Sequence, residues 1–312
     1  MRRGALGIDP AMGDEAAVTL RAALASRNWP MVREVLTNAE HPDDRAFYLD
    51  VCGTVPGVQE SIGEWAAAEP QSYLHQLVRG CHAVRGAWDL LSERFITNSR
   101  EQHYQLFADR LRFADACLQD VVGRNPDEVA AWAFMVSIAR GLRMHVDHVR
   151  HRFTEAVRRH PTSLKAHAEM MFTLCQRWQG SHQQMNAFVT EAAKDSPPGS
   201  LLPYLVPLGH IDVTLDLEGP IRSEYMQTTR VRTALADAAE QSVFHPAADL
   251  GPGWQEPANT FALAFDLSGD RRAAAAVFEM LGPVVTRHPW NYLGHGNEVD
   301  SFAAARSRAL MR

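Results

Sequence analysis

Three proline turns recur at nearly equal intervals, and each leads into a stretch with a helical apolar stripe. They are Asn125-Pro126-Asp127-Glu128-Val129, His160-Pro161-Thr162-Ser163-Leu164 and Pro197-Pro198-Gly199-Ser200-Leu201. Pro126 and Pro161 lie 35 residues apart, and the next step is 36 or 37, depending on which of Pro197 and Pro198 is counted. Proline opens a helix without cost, because its missing N–H would be unpaired there, but it cannot continue the helix before it. A period in the mid-thirties is the length of one helix-turn-helix unit. One such unit cannot bury its apolar stripe alone, so successive units must stack. The expected fold is all-α, a solenoid of antiparallel helix pairs.

The rest of the chain agrees with that reading. Val146, Val149, Phe153 and Ala156 fall on one helical stripe, and alternating β-branched runs do not occur. The registers match inside the repeats. Six residues after Pro126, Pro161 and Pro198 come Trp132, His167 and Tyr204, and three after come Val129, Leu164 and Leu201. Phe153 and Ala156 precede Pro161 with the same spacing as Val189 and Ala192 before Pro197. An aromatic early in the first helix, a large and a small residue in the second, and a closing proline resemble the tetratricopeptide-repeat (TPR) family. Trp132, Phe153, Ala156 and Pro161 carry the resemblance, which returns around Ser268-Gly269-Asp270, Ala274, Phe278 and Pro289-Trp290. The family's Leu-Gly pair in the first helix is missing and helix lengths drift, so the chain is TPR-like and irregular at both ends.

The expected organisation is a flexible N-terminal tail at 1–13, N-terminal helix pairs at 14–109 and TPR-like repeats at 110–215. A helix and Pro/Gly-rich insertion follows at 216–258, then a C-terminal TPR-like helix pair and capping helix at 259–312. Within this scheme, 14–40 and 42–68 form a leading pair broken at His41-Pro42. A loop is expected near Ile96-Thr97-Asn98, and one helix spans about 221–243.

Composition narrows the function classes. The net charge is −6, a poor match to a nucleic-acid or membrane-surface binder. No run of 18 apolar residues occurs and no apolar stretch follows Met1-Arg2-Arg3-Gly4, so neither a membrane span nor a secretory signal is expected. Cys52, Cys81, Cys117 and Cys175 lack metal or redox spacing and sit in apolar stretches, as reduced buried thiols of a cytoplasmic protein would.

The TPR resemblance implies a concave face lined by first helices, opposite the packing between helices. Mapped by register from the prolines, that face includes Leu77, Cys81, Arg85, Ala133, Ser137, Arg140, Lys165, Phe172, Gln176, Leu205 and Asp212. Mixed charge and apolar surface fit a protein or peptide partner held in a groove. The alternative is an enzyme, metal-dependent or acid/base, with a pocket between helices around His145–His167. Its weak catalytic candidates are His145, His148, His151, His167 and Glu169, because histidines three or four apart share a helix face. Against it, Val146, Val149 and Phe153 must face the core, which turns Asp147 and His151 toward solvent, and no HExxH occurs. A second alternative is a small-molecule or regulatory-peptide sensor using the same concavity. Asp43 and Asp44 look like an acidic metal pair but are better explained as first-turn acids favoured by the helix dipole. No metal and no cofactor is assigned. Gly180 is read as a helix end with Ser181 capping the next helix, and Gly294-His295-Gly296-Asn297 as a joint before the last helix.

Overall fold

Helix starts are set by capping side chains and prolines, as the turn sequences require. Asp14 accepts from the Ala17 N–H at 2.7 Å, Asn28 from Met31 at 3.3 Å and Ser181 from Gln184 at 3.2 Å, while Pro42 opens its own helix. These signals come from a computed structural model that describes residues 6–93, 100–294 and 296–311. Among the described residues there are sixteen α-helices and no strand, only a lone backbone bridge between Ile8 and Val285. The chain is all-α, with neighbouring helices packed on one another. It divides into two compact units, one formed by 14–173 and the other by the N-terminal segment with 174–312.

The 14–173 unit contains α1 (Glu15–Ala25), α2 (Trp29–Asn38), α3 (Pro42–Cys52), α4 (Val58–Ala68), α5 (Leu74–Glu93), α6 (Arg100–Arg124), α7 (Val129–Gly141), α8 (Val146–Arg159) and α9 (Leu164–Thr173). The segments 14–40 and 42–68 are each a helix-turn-helix rather than one helix. Asn28 caps α2, and the turn from Gly53 to Gly57 separates α3 from α4. The loop expected near Ile96-Thr97-Asn98 lies outside the described residues. Helices α5 and α6 pack together, as do α7 and α8, while α5 also meets α7 and α7 meets α9. Helix α3 lies against α5, α7 and α9, so these four share one inner layer.

Helix α7 is apolar almost all round and is buried along nearly its whole length, as the centre of such a layer must be. Small residues let its neighbours approach. A methyl on Gly141 would come within 2.4 Å of Leu111, and one on Gly80 within 2.7 Å of Leu118. Trp132 and Phe153 pack against the buried Ala133, Ala156 and Ala166. Arg152 ties α8 to the interior. Its guanidinium donates to the Met135 carbonyl at 2.9 Å and pairs with Asp115 at 2.8 Å.

The second unit contains α10 (His182–Asp195), a 3-10 turn at Leu202–Tyr204, α11 (Leu205–Thr214), α12 (Gly219–Gln227), α13 (Thr229–Gln241), α14 (Gln255–Ser268), α15 (Arg271–Leu281) and α16 (Glu298–Leu310). The single helix expected at 221–243 is two. Thr228 is extended and its hydroxyl caps α13 by accepting from Val231, which ends α12. Ser268-Gly269-Asp270 is a turn, with Gly269 left-handed at φ 76° and Asp270 capping α15. Ala274 and Phe278 are both buried. Phe278, Trp290 and Phe302 form one ring cluster, and the Trp290 indole N–H donates to Asn259 at 2.7 Å. The segment read as a loose tail is held where it is described. Ala11 is fully buried, Ile8 bridges to Val285, and the Met12 carbonyl accepts from Gln255 at 3.0 Å. Its apolar side chains give it surface to bury, which its glycines and proline concealed. No helix among the described residues is long and apolar enough to cross a membrane.

Candidate functional site

Five residues of the expected groove converge in the 14–173 unit, and each cation among them already has an acidic partner. Arg140, in the last turn of α7, pairs with Glu169 of α9 at 2.7 Å. Its guanidinium lies 4.1 Å above the Trp88 ring and 5.4 Å from the Phe172 ring. The Trp88 indole donates to the Ser137 hydroxyl at 2.9 Å. The Lys165 ammonium sits 2.8 Å from both Asp50 oxygens and 4.2 Å from the Phe134 ring. Arg85 pairs with Asp89 one turn along α5, and its stem passes over Gly53, where a Cβ would lie only 2.6 Å away.

Burial sorts these residues. Leu77, Cys81, Ala133 and Ser137 are buried and pack the inner layer. Asp50, Arg85, Trp88, Asp89, Lys165, Glu169 and Phe172 are half-buried and form a margin of aromatic rings and ion pairs. Burial alone would raise the Glu169 carboxyl. The Arg140 and Lys165 charges, with hydrogen bonds from Arg140 and Ser137, outweigh it and hold the group below its ordinary value, so it stays ionised. In the other unit, Gln176 is exposed, Leu205 is fully buried, and Asp212 is a fully buried carboxylate paired with Arg177.

The histidines expected as chemical candidates are dispersed. His145 caps α8, with Nδ1 accepting from the Asp147 N–H at 3.4 Å, and it is well exposed, as are His148 and His151. His151 meets the Trp132 ring edge-on at 6.1 Å. His167 is buried against Phe153 with its Nδ1 2.8 Å from the Ser163 carbonyl, and burial pulls its pKa below the usual imidazole range. Glu169 is committed to Arg140. The four free cysteines are buried, and burial raises the thiols of Cys52, Cys81 and Cys117.

Two polar clusters at the starts of the inner helices did not emerge from the sequence. In one, Arg45 of α3 pairs with Glu128 at 2.9 Å, and the Tyr73 hydroxyl bridges them, 3.1 Å from Arg45 and 3.2 Å from Glu128. Glu128 is buried at the N-cap of α7, where a carboxylate also meets the positive end of the helix dipole. A cleft of about 620 Å³ opens beside this cluster, lined by Pro42, Gln71, Ser72, Asn125 and Asp127 among others. In the second cluster, one Asp43 oxygen accepts from the Leu164 N–H at 2.9 Å and the other lies 3.0 Å from His160 Nε2. Asp43 thus serves the N-terminus of α9 as well as that of its own helix. His41 stands edge-on to His160, with ring centroids 5.1 Å apart. His41, Asp43 and His160 form the only group of three potential metal ligands among the described residues whose donor atoms all lie within 4.8 Å of one another. The sequence did carry a signal for it. Both histidines precede a proline, in His41-Pro42 and His160-Pro161, and both turns mark helix ends in one unit.

No protein-family model matches this chain, and no curated protein is similar to it.

Proposed function

We propose that the chain is a TPR-like interaction scaffold of the cytoplasm that binds a protein or peptide partner along the margin of α3, α5, α7 and α9. The observation that carries this reading is the half-buried band in which Trp88 and Phe172 flank Arg140, beside the Asp50–Lys165 and Arg85–Asp89 pairs. Aromatic and arginine side chains on a rigid helical frame are the residue types that dominate protein interfaces. Because each cation has a local acid, the band suits a partner with mixed polar and apolar side chains rather than a polyanion. An extended acidic peptide would have to displace Asp50 and Asp89.

The test uses the full chain as bait in crosslinking with mass spectrometry, followed by affinity measurement on the partner recovered. Arg85→Glu and Phe172→Ala alter the margin without removing a fully buried side chain. Each should lower affinity at least about tenfold, while circular dichroism and the melting temperature stay near wild type. Partners retained at equal affinity by both variants would show that the margin is not the binding face.

A further inference from the structure

We propose that His41, Asp43 and His160 form a binding site for one first-row divalent transition metal, of which Zn²⁺ is the representative. Two imidazoles and a carboxylate are the ligand types that Zn²⁺, Co²⁺, Ni²⁺ and Cu²⁺ share, and they are a poor set for Ca²⁺ or Mg²⁺, which favour oxygen. The geometry is nearly assembled. His160 Nε2 and Asp43 Oδ2 are 3.0 Å apart, close to the roughly 3.0–3.4 Å that separates neighbouring ligands when metal bonds are about 2.0–2.1 Å. The His41 donor already lies within 4.8 Å of both, and its side chain is about half exposed, so rotation of the ring can bring it in without disturbing packing.

The contacts that would orient these ligands are also in place. The Asp43 oxygen that would not bind metal is fixed by the Leu164 N–H, which aims the other oxygen at His160. Asp44, 3.8 Å from His41 Nδ1, adds negative charge beside the site. Arg159, the nearest cation in sequence to His160, is paired with Glu155 and Asp127. Binding replaces the His160–Asp43 hydrogen bond. The Nε2 lone pair goes to the metal, any proton on that nitrogen is released to solvent, and water completes the coordination.

Such a site would clip the start of α3 to the turn between α8 and α9, joining residues more than a hundred positions apart in the chain. The clip would fix one end of the inner helix layer. The half-exposed His41 side chain would leave a bound metal open to solvent on that side.

The test is isothermal titration of the tag-free full chain with ZnSO₄, with elemental analysis after dialysis. Wild type should bind one equivalent and melt at a higher temperature with Zn²⁺ than without. His41→Ala removes an exposed ligand that the core does not need, and it should weaken binding at least about tenfold and abolish the thermal shift. His160→Gln should do the same. Because that change touches the Asp43 contact, the His41 variant decides the matter if His160→Gln unfolds. A His148→Ala, His151→Ala double variant should bind as wild type does. The proposal is overturned by no saturable Zn²⁺ binding, by wild-type affinity in His41→Ala, or by loss of binding in the α8 double variant.

Discussion

Acidification should cost the unit containing α11 about 3 kcal/mol through one side chain, His210. The ring is buried in α11 and shares a 2.7 Å hydrogen bond with the Tyr225 hydroxyl. Burial, with the nearby Arg230 charge adding to it, pushes its pKa down from 6.5 to about 4. The folded value lies below the unfolded one, so the unfolded chain takes up the proton first. Stability from the neutral ring is therefore complete above pH 6.5 and falls as the pH drops toward 4. Linkage makes the loss about 2 kcal/mol at pH 5 and about 3 kcal/mol at pH 4. The assay is urea unfolding followed by circular dichroism from pH 7.5 to 4.5, on wild type and His210→Asn. Asparagine can keep a hydrogen bond to Tyr225 but does not titrate. The variant will lose some packing at every pH, so the informative quantity is the difference between the two proteins. That difference should shrink by about 2 kcal/mol or more between pH 7.5 and 4.5. A difference that stays constant across this range would refute the assignment of a buried, neutral His210. Burial also lowers the pKa of His75, His82 and His167 in the other unit, and their acid sensitivity should persist in the variant.

Three further outcomes follow from buried contacts. Arg45→Ala leaves the Glu128 carboxylate buried beside Tyr73 without its counter-charge, and it should cost about 3–5 kcal/mol in urea unfolding. Asn259→Ala should cost about 2–4 kcal/mol, because Asn259 accepts from the Trp290 indole and donates to the Gln255 and Val284 carbonyls in a fully buried setting. Gly141→Ala should cost about 1–3 kcal/mol by overpacking, since the new methyl would meet Leu111 at 2.4 Å and Phe107 at 3.0 Å; a melting temperature equal to wild type would mean that α6 yields without strain.

The helical class was legible because it depends on local rules. The turns at Pro126 and Pro161 precede α7 and α9, and Trp132 and Phe153 pack against Ala133, Ala156 and Ala166. Helix breaks without proline were harder. The split at Thr228 rests on one side-chain cap, which in sequence looks like an ordinary threonine in a helical run. Leu77, Cys81 and Ala133, expected on the groove face, are buried, and α3 lies against α5, α7 and α9, the helices that carry them and Lys165. No periodicity in α5 or α7 announces a helix that arrives from thirty to a hundred residues away. The same long-range contact brings Asp43 to His160. First-turn acid was a correct reading of Asp43 on its own helix, and it could not say that the carboxylate also caps α9.

The inner helices carry different charged clusters at their two ends. Arg45, Tyr73 and Glu128 bring together the starts of α3, α5 and α7, while Trp88, Ser137, Arg140 and Glu169 bring together later turns of α5, α7 and α9. The helices therefore run side by side in the same sense, with their dipoles aligned and repelling. Acids at the starts, Asp43 and Glu128, and a cation at the end of α7, Arg140, oppose that repulsion. These buried charges are committed to holding the layer together, and a partner that withdrew one would leave its mate unpaired in the interior. In the proposed reading, recognition falls to the half-buried margin around Arg85, Lys165 and Phe172. Substitutions at Arg45 or Arg140 should lower melting temperature and binding together, whereas substitutions at Arg85 or Phe172 should lower binding alone.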